Sequence, residues 1–301
     1  MIVMRAVQAL GSAAVYIVFR LVIKDTMDKK EQIHATGLLV VGLVLSPILA
    51  PVLGAWITNV SSWRNCFWAI PLFAWAWLAV RESNLKQQEF RAAFSIKKHV
   101  LSYYTVLKDG YFLSLALIVG AAFAAFYAFI SISSFMYINQ YGMKETDYAY
   151  LFIGIALAYL LGNRVMSKLN ANNLAPRKIV GIGIYTSVLG TVFILAEVFT
   201  HNALFTIVLV TVGTCLLRLA TALINPPVQV MVTNHFHDKG AHALGLLTCI
   251  QYCFAGIGTM VVSGLSFQPS TNFTISTFVF VALSLIGYLF ASRKALAMQL
   301  S

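Results

Sequence analysis

Acidic side chains are scarce in this chain, ten among 301 residues against 21 lysines and arginines. Charges of both signs reach only 10% while hydrophobic residues reach 59%, a balance that excludes a soluble globule. Long polar stretches are missing too. The longest, Arg81 to Gly110, is too short for a nucleic-acid recognition domain and holds no motif of one, so the net charge of +11 needs another explanation. The four cysteines, Cys66, Cys215, Cys249 and Cys253, fall within or beside apolar runs, where they read as small packing residues rather than disulfide or zinc ligands. His235, His237 and His242 with Asp238 match no common ligand spacing and read as a solvated loop. No HExxH-type pair, paired acids within a run or nucleophile with a base is visible, so neither an enzyme nor a metal or cofactor is expected.

Long apolar runs are what the chain has instead. Nine can be counted: Met1 to Ile23, Ala35 to Ile57, Asn65 to Val80, Tyr111 to Ile138, Tyr148 to Met166, Ile179 to Phe199, Ala203 to Ile224, Ala241 to Leu265 and Thr274 to Ala291. About 20 apolar residues cross the hydrocarbon as a helix, and none of these runs shows the ten-residue alternation of barrel strands. The expected fold is an all-α, polytopic membrane helix bundle. The first run lacks a convincing small-x-small cleavage site and meets Lys24, so it reads as a retained span rather than a signal peptide.

The basic residues explain themselves as topology. Seventeen of the 21 lie on one side of this arrangement, only Arg64 and Lys144 on the other, and Arg5 and Arg218 inside runs. The positive-inside rule makes the rich side cytoplasmic, with the C-terminus inside and the N-terminus outside. Phe90, Phe94, Val100, Leu101 and Tyr104 are interspersed with the charges of the long polar stretch, a loosely amphipathic pattern that suits the headgroup region.

An arginine at mid-bilayer costs roughly 2.5 to 3.5 kcal/mol and normally faces a bundle interior or a watery path. Arg5 is one, with Gln8 and Gly11 on roughly the same helix face. Arg218 either lines a cavity or reaches for the cytoplasmic interface. Phe126, Tyr127, Gln251 and Tyr252 suit an apolar substrate cavity with a few polar handles, or else are bundle filler. An internal echo joins the second and eighth runs: His34-Ala35-Thr36-Gly37-Leu38-Leu39 opens one and His242-Ala243-Leu244-Gly245-Leu246-Leu247 the other, as in transporters built from repeated helix triplets.

Two of these runs carry a family resemblance. Arg5-Ala6-Val7-Gln8-Ala9-Leu10-Gly11-Ser12-Ala13 resembles the R-x-x-Q-G-x-G-A-A motif in the fourth helix of major facilitator drug/proton antiporters, with Ala9 for a glycine and Ser12 for an alanine. Gly42, Ser46, Pro47, Ala50, Pro51 and Gly54 resemble the antiporter motif of the fifth helix, in the P-x-x-A-P-x-x-G form similar to Bcr/CflA-type bicyclomycin and chloramphenicol resistance transporters. Phe129 to Phe135 continues the likeness into the seventh helix, but Ser134 stands where the family usually has proline, which leaves the family's hinge there in doubt.

The resemblance implies a major facilitator bundle with about nine of twelve helices, N-terminally truncated. Residues 1–83 would be the rest of the first bundle, 84–110 a cytoplasmic linker and 111–301 a six-helix second bundle. Its implied activity is export of small amphipathic drugs in exchange for protons across the inner membrane, with lipid, drug and protons as partners. Arg5, Gln8 and Gly11 would serve coupling, and the proline-glycine motif sealing and rocking. The acids of this chain lie in connections, save Glu197 at the outer end of the sixth run, so a complete proton path is not expected from it. The alternative is a nonfunctional truncated remnant of such a transporter.

Overall fold

A computed structural model describes residues 96–200, 202–236 and 239–300. All of them belong to one compact unit, Ser95–Ser301. Arg5, Gln8, Gly11 and the motif residues Gly42, Ser46, Pro47, Ala50, Pro51 and Gly54 lie outside the described residues.

The helices in chain order are α1 (Ile96–Lys108), α2 (Gly110–Ser134), α3 (Glu145–Ala171), α4 (Pro176–Leu195), α5 (Ala203–His235), α6 (Gly240–Gly264) and α7 (Pro269–Leu300). Among the described residues six segments are long and apolar enough to cross a membrane: Gly110–Gln140, Glu145–Ala171, Pro176–Phe199, Ala203–His235, His242–Gly264 and Pro269–Lys294. They coincide with the last six apolar runs, so this is an all-α bundle of membrane-spanning helices.

Three boundaries differ from the runs for physical reasons. First, α5 passes through Pro226 and Pro227 and ends at His235 rather than Ile224. The prolines remove the N–H donors owed to the carbonyls of Ala222 and Leu223, yet unwinding in lipid would strand more backbone groups than it would free. Second, α2 gives way to a π-helical segment, Phe135–Gln140, directly after Ser134. The widened turn appears in the Tyr141 N–H bond to the carbonyl of Met136, at 3.0 Å, so the helix changes pitch here without proline. Third, the polar stretch contains α1, whose buried Ser102 and Val106 anchor it while Leu101, Tyr104 and Leu107 stay exposed.

α2 is the hub. It packs against α5, α6 and α7, while α5 also holds α3 and α4, and α4 meets α7. Small residues let the backbones approach, as is usual where lipid gives helices no hydrophobic drive to associate. At the α4–α5 crossing Gly190 and Gly213 face each other; a Cβ on either would stand 2.8 or 2.7 Å from the other's carbonyl oxygen.

The core divides along the bundle axis. One cluster, with Val106, Phe112, Ile118, Val228, Val232 and Leu247, fills the end near α1. Another, with Phe129, Met136, Tyr137, Ile194, Val210 and Phe273, fills the opposite end, and a small third one joins Ala124 and Ala125 to Phe280. Gln140 closes that second end. Its side-chain amide donates to Ser270 Oγ at 2.8 Å and accepts the Ser270 N–H at 3.0 Å, tying the π segment to the start of α7.

At the first end, Asp109 caps α2 by accepting the N–H groups of Tyr111 (2.7 Å) and Phe112 (2.9 Å), and its other oxygen meets His235 Nε2 at 2.9 Å. His235 therefore does not belong to a solvated loop. It terminates α5 and rests against the rings of Tyr111 and Phe236, where a helix C-terminus favours positive charge. His237 lies outside the described residues, and His242 on α6 packs edge-on against Tyr103.

Burial pushes the Asp109 carboxyl up, but the His235 bond, the Phe112 N–H, the His235 charge and the Tyr111 N–H outweigh it, and the pKa falls below its usual 3.8. A lowered folded pKa adds stability that is complete above the unfolded value and is lost as pH falls through the folded one. Wild type is therefore expected to melt above Asp109→Asn at about pH 6 and to lose that margin progressively as pH is lowered below about 4, read by thermal unfolding in detergent. A margin unchanged by that acidification would contradict this account.

Candidate functional site

Arg218 sits near the middle of the 33-residue α5. At about 1.5 Å rise per residue both helix ends lie some 25 Å away, well beyond the reach of its side chain. Its guanidinium instead stacks on two rings, Phe126 of α2 at 3.9 Å and Tyr159 of α3 at 4.4 Å from their centroids. Both rings stand near the midpoints of their own spans, so the three helices meet around the cation at one level. Ring faces carry partial negative charge, which offsets some of the cost of holding a cation among apolar walls.

The aromatic set continues sideways. Phe126 meets Tyr127 edge-on at 5.9 Å, Tyr127 stacks with Phe123 at 6.0 Å, and Phe123 meets Tyr252 of α6 edge-on at 6.2 Å. Of the residues singled out from sequence, Phe126, Tyr127, Arg218 and Tyr252 thus form one connected series, from a buried ring (Phe126, 8% exposed) to an open one (Tyr252, 55%). Gln251 is different. It is buried at 5%, on the α6 stripe of Leu247, Ala255 and Gly258 that faces α2, one position round the helix from Tyr252.

Sequence reading missed Phe123 and Tyr159. Each is an aromatic near the middle of an apolar run, and depth was the available signal; nothing in either run points to a partner on another helix. The cysteines also sit differently from expectation. Cys215 is half-buried, but Cys249 and Cys253 are exposed on the outward side of α6 and so do not serve packing there. Glu197 lies in a short 3-10 turn after α4, Ala196–Phe199. One of its carboxylate oxygens is buried without a hydrogen-bond partner, and its charge, after burial, helps raise the pKa of Tyr141.

Taken together, the site offers a cation at mid-membrane, a row of rings, and a graded opening along one side. Chemically, rings and a cation in this arrangement can hold a planar amphipathic molecule by stacking and charge; among these residues there is no nucleophile–base pair for covalent chemistry.

Comparisons with known proteins agree with this architecture. The chain is 24% identical over 210 residues to the uncharacterized MFS-type transporter YdgK of Bacillus subtilis, covering 68% of this chain and 52% of that protein. It is 26% identical over 201 residues to the chloramphenicol resistance protein CraA of Acinetobacter baumannii, covering 65% and 47%. It is 27% identical over 145 residues to the multidrug resistance protein MdtL of Escherichia coli K12, covering 48% and 37%. The chain thus spans about half the length, or less, of the curated relatives it matches. Residues 1–259 match the family model of the Major Facilitator Superfamily, and with six apolar helices behind that match the chain belongs to this superfamily of multi-pass membrane transporters.

Proposed function

We propose that this chain is part of an exporter of small amphipathic drugs, driven by proton exchange across the inner membrane, with its C-terminus in the cytoplasm. The observation that carries the reading is the mid-level cluster of Arg218 with Phe126, Tyr127, Tyr159 and Tyr252, on helices packed as a transporter bundle. The relatives named for chloramphenicol and multidrug resistance support the substrate class. Charge asymmetry between the two sides supports the orientation. Arg5, Gln8 and Gly11 would take part in coupling, and Gly42, Ser46, Pro47, Ala50, Pro51 and Gly54 would let two helices seal and rock against each other.

The test is accumulation of chloramphenicol in cells stripped of their own major exporters. Expression of the complete transporter that contains this chain should lower the steady-state level, and a protonophore should restore it. An unchanged level would count against export by that transporter, and a lowered level indifferent to the protonophore would remove the proton from the proposal.

A further inference from the structure

We propose that Arg218 receives the negative group of an aromatic organic anion, the rings beside it taking the anion's planar body. This rests on the transporter reading and names the substrate class of the same site.

Charge balance is the first argument. Among the described residues the one ion pair is Asp109–His235, at the α1 end of the bundle. The described acids all stand at helix ends: Asp109 caps α2, Glu145 and Asp147 occupy the first turn of α3, and Glu197 follows α4. The other six, Asp25, Asp28, Glu31, Glu82, Glu89 and Asp238, fall between apolar runs. Among the described residues, therefore, no carboxylate belongs to the level of Arg218, and an anionic ligand can supply the counter-charge.

Donor geometry is the second. The guanidinium carries five N–H donors in a fixed fork. Phe126 and Tyr159 cover its faces, and ring faces do not accept those donors in the guanidinium plane. Arg218 makes no hydrogen bond to any described residue, so its donors are unmet there. A carboxylate or sulfonate fits the guanidinium edge bidentately and gains from the low dielectric around it. The same low dielectric repels a cation. A neutral acceptor would meet the donors without balancing the charge.

The third is shape. Tyr127, Phe123 and Tyr252 extend from the cation in one connected row, so an occupant with its charge at Arg218 finds flat ring surface beside it and an outlet where Tyr252 is exposed.

The experiment uses the full chain purified in detergent, with thermal unfolding measured against 2-naphthoate as aromatic anion, ethidium as aromatic cation and chloramphenicol as neutral probe. A bound ligand raises the melting temperature in proportion to its saturation. Naphthoate should stabilise wild type in a dose-dependent way. Arg218→Gln should weaken its apparent affinity at least about tenfold, and Arg218→Lys, which keeps the charge without the fork, should fall between. Should Arg218→Gln fail to fold, the three probes on wild type and Arg218→Lys still decide. Stabilisation by ethidium or chloramphenicol without naphthoate would overturn the anion assignment and leave the transporter reading standing. Equal naphthoate binding by wild type and Arg218→Gln would overturn it as well. Binding of none of the three would overturn it as well, while the export assay decides the transporter reading separately.

Discussion

Gly258→Ala, the addition of one methyl group, is expected to cost most of the folded protein. The new Cβ would run into the carbonyl oxygen of Ala124 and stand 2.8 Å from its carbonyl carbon and Cα. These are backbone atoms of the hub helix α2, so no side chain can swing aside and the two helices must part. Overpacking typically costs about 1–3 kcal/mol where side chains can adjust; here the cost exceeds that range. The matched control is Gly256→Ala, two residues away, whose Cβ would meet nothing within 4 Å. There alanine gains up to about 1 kcal/mol of helix propensity. Monodisperse yield and melting temperature of the two variants in the same detergent check the prediction. Equal behaviour would mean that α2 and α6 do not cross where described.

Tyr137→Ala is the second large effect. This side chain in the π segment is fully buried and lies among Phe129, Tyr141 and Tyr148, with ring centroids at 6.2, 6.0 and 6.1 Å. Truncating a buried aromatic costs about 3–5 kcal/mol in general, and its packing share survives in a membrane protein, where dispersion rather than water exclusion holds helices together. Tyr137→Phe separates ring from hydroxyl. The hydroxyl pairs with Thr211 Oγ1 at 3.0 Å, but Thr211 also donates to the carbonyl of Ile207 at 2.7 Å, so its loss strands no donor and should cost about 1 kcal/mol or less. A large fall in melting temperature for alanine and a small one for phenylalanine is the expected pair; similar falls for both would shift the weight from ring packing to the hydrogen bond.

What was legible in the sequence follows how local each signal is. The six spans could be read within a few residues because about 20 apolar residues in a row have one stable solution in hydrocarbon. The end of α5 could not, because Asn225-Pro226-Pro227 reads as a helix stop in water, whereas lipid penalises the unwinding that would follow. The π segment was hidden for the opposite reason. The family's proline is missing at Ser134, and the change of pitch is instead accompanied by contacts distant in sequence, Gln140 with Ser270 and Tyr137 with Thr211. His235 looked like part of a loop because its partner, Asp109, lies 126 residues away.

Composition and run length alone determined that this protein lives in a membrane as a bundle of helices. Those are properties of single segments against a solvent. Tertiary structure decided which side chains share a level and a face. Arg218, Phe126 and Tyr159 come from three helices whose sequences carry no trace of one another. Only the way glycine-lined crossings set the helices close together, and in register, turns an arginine and scattered aromatics into one site.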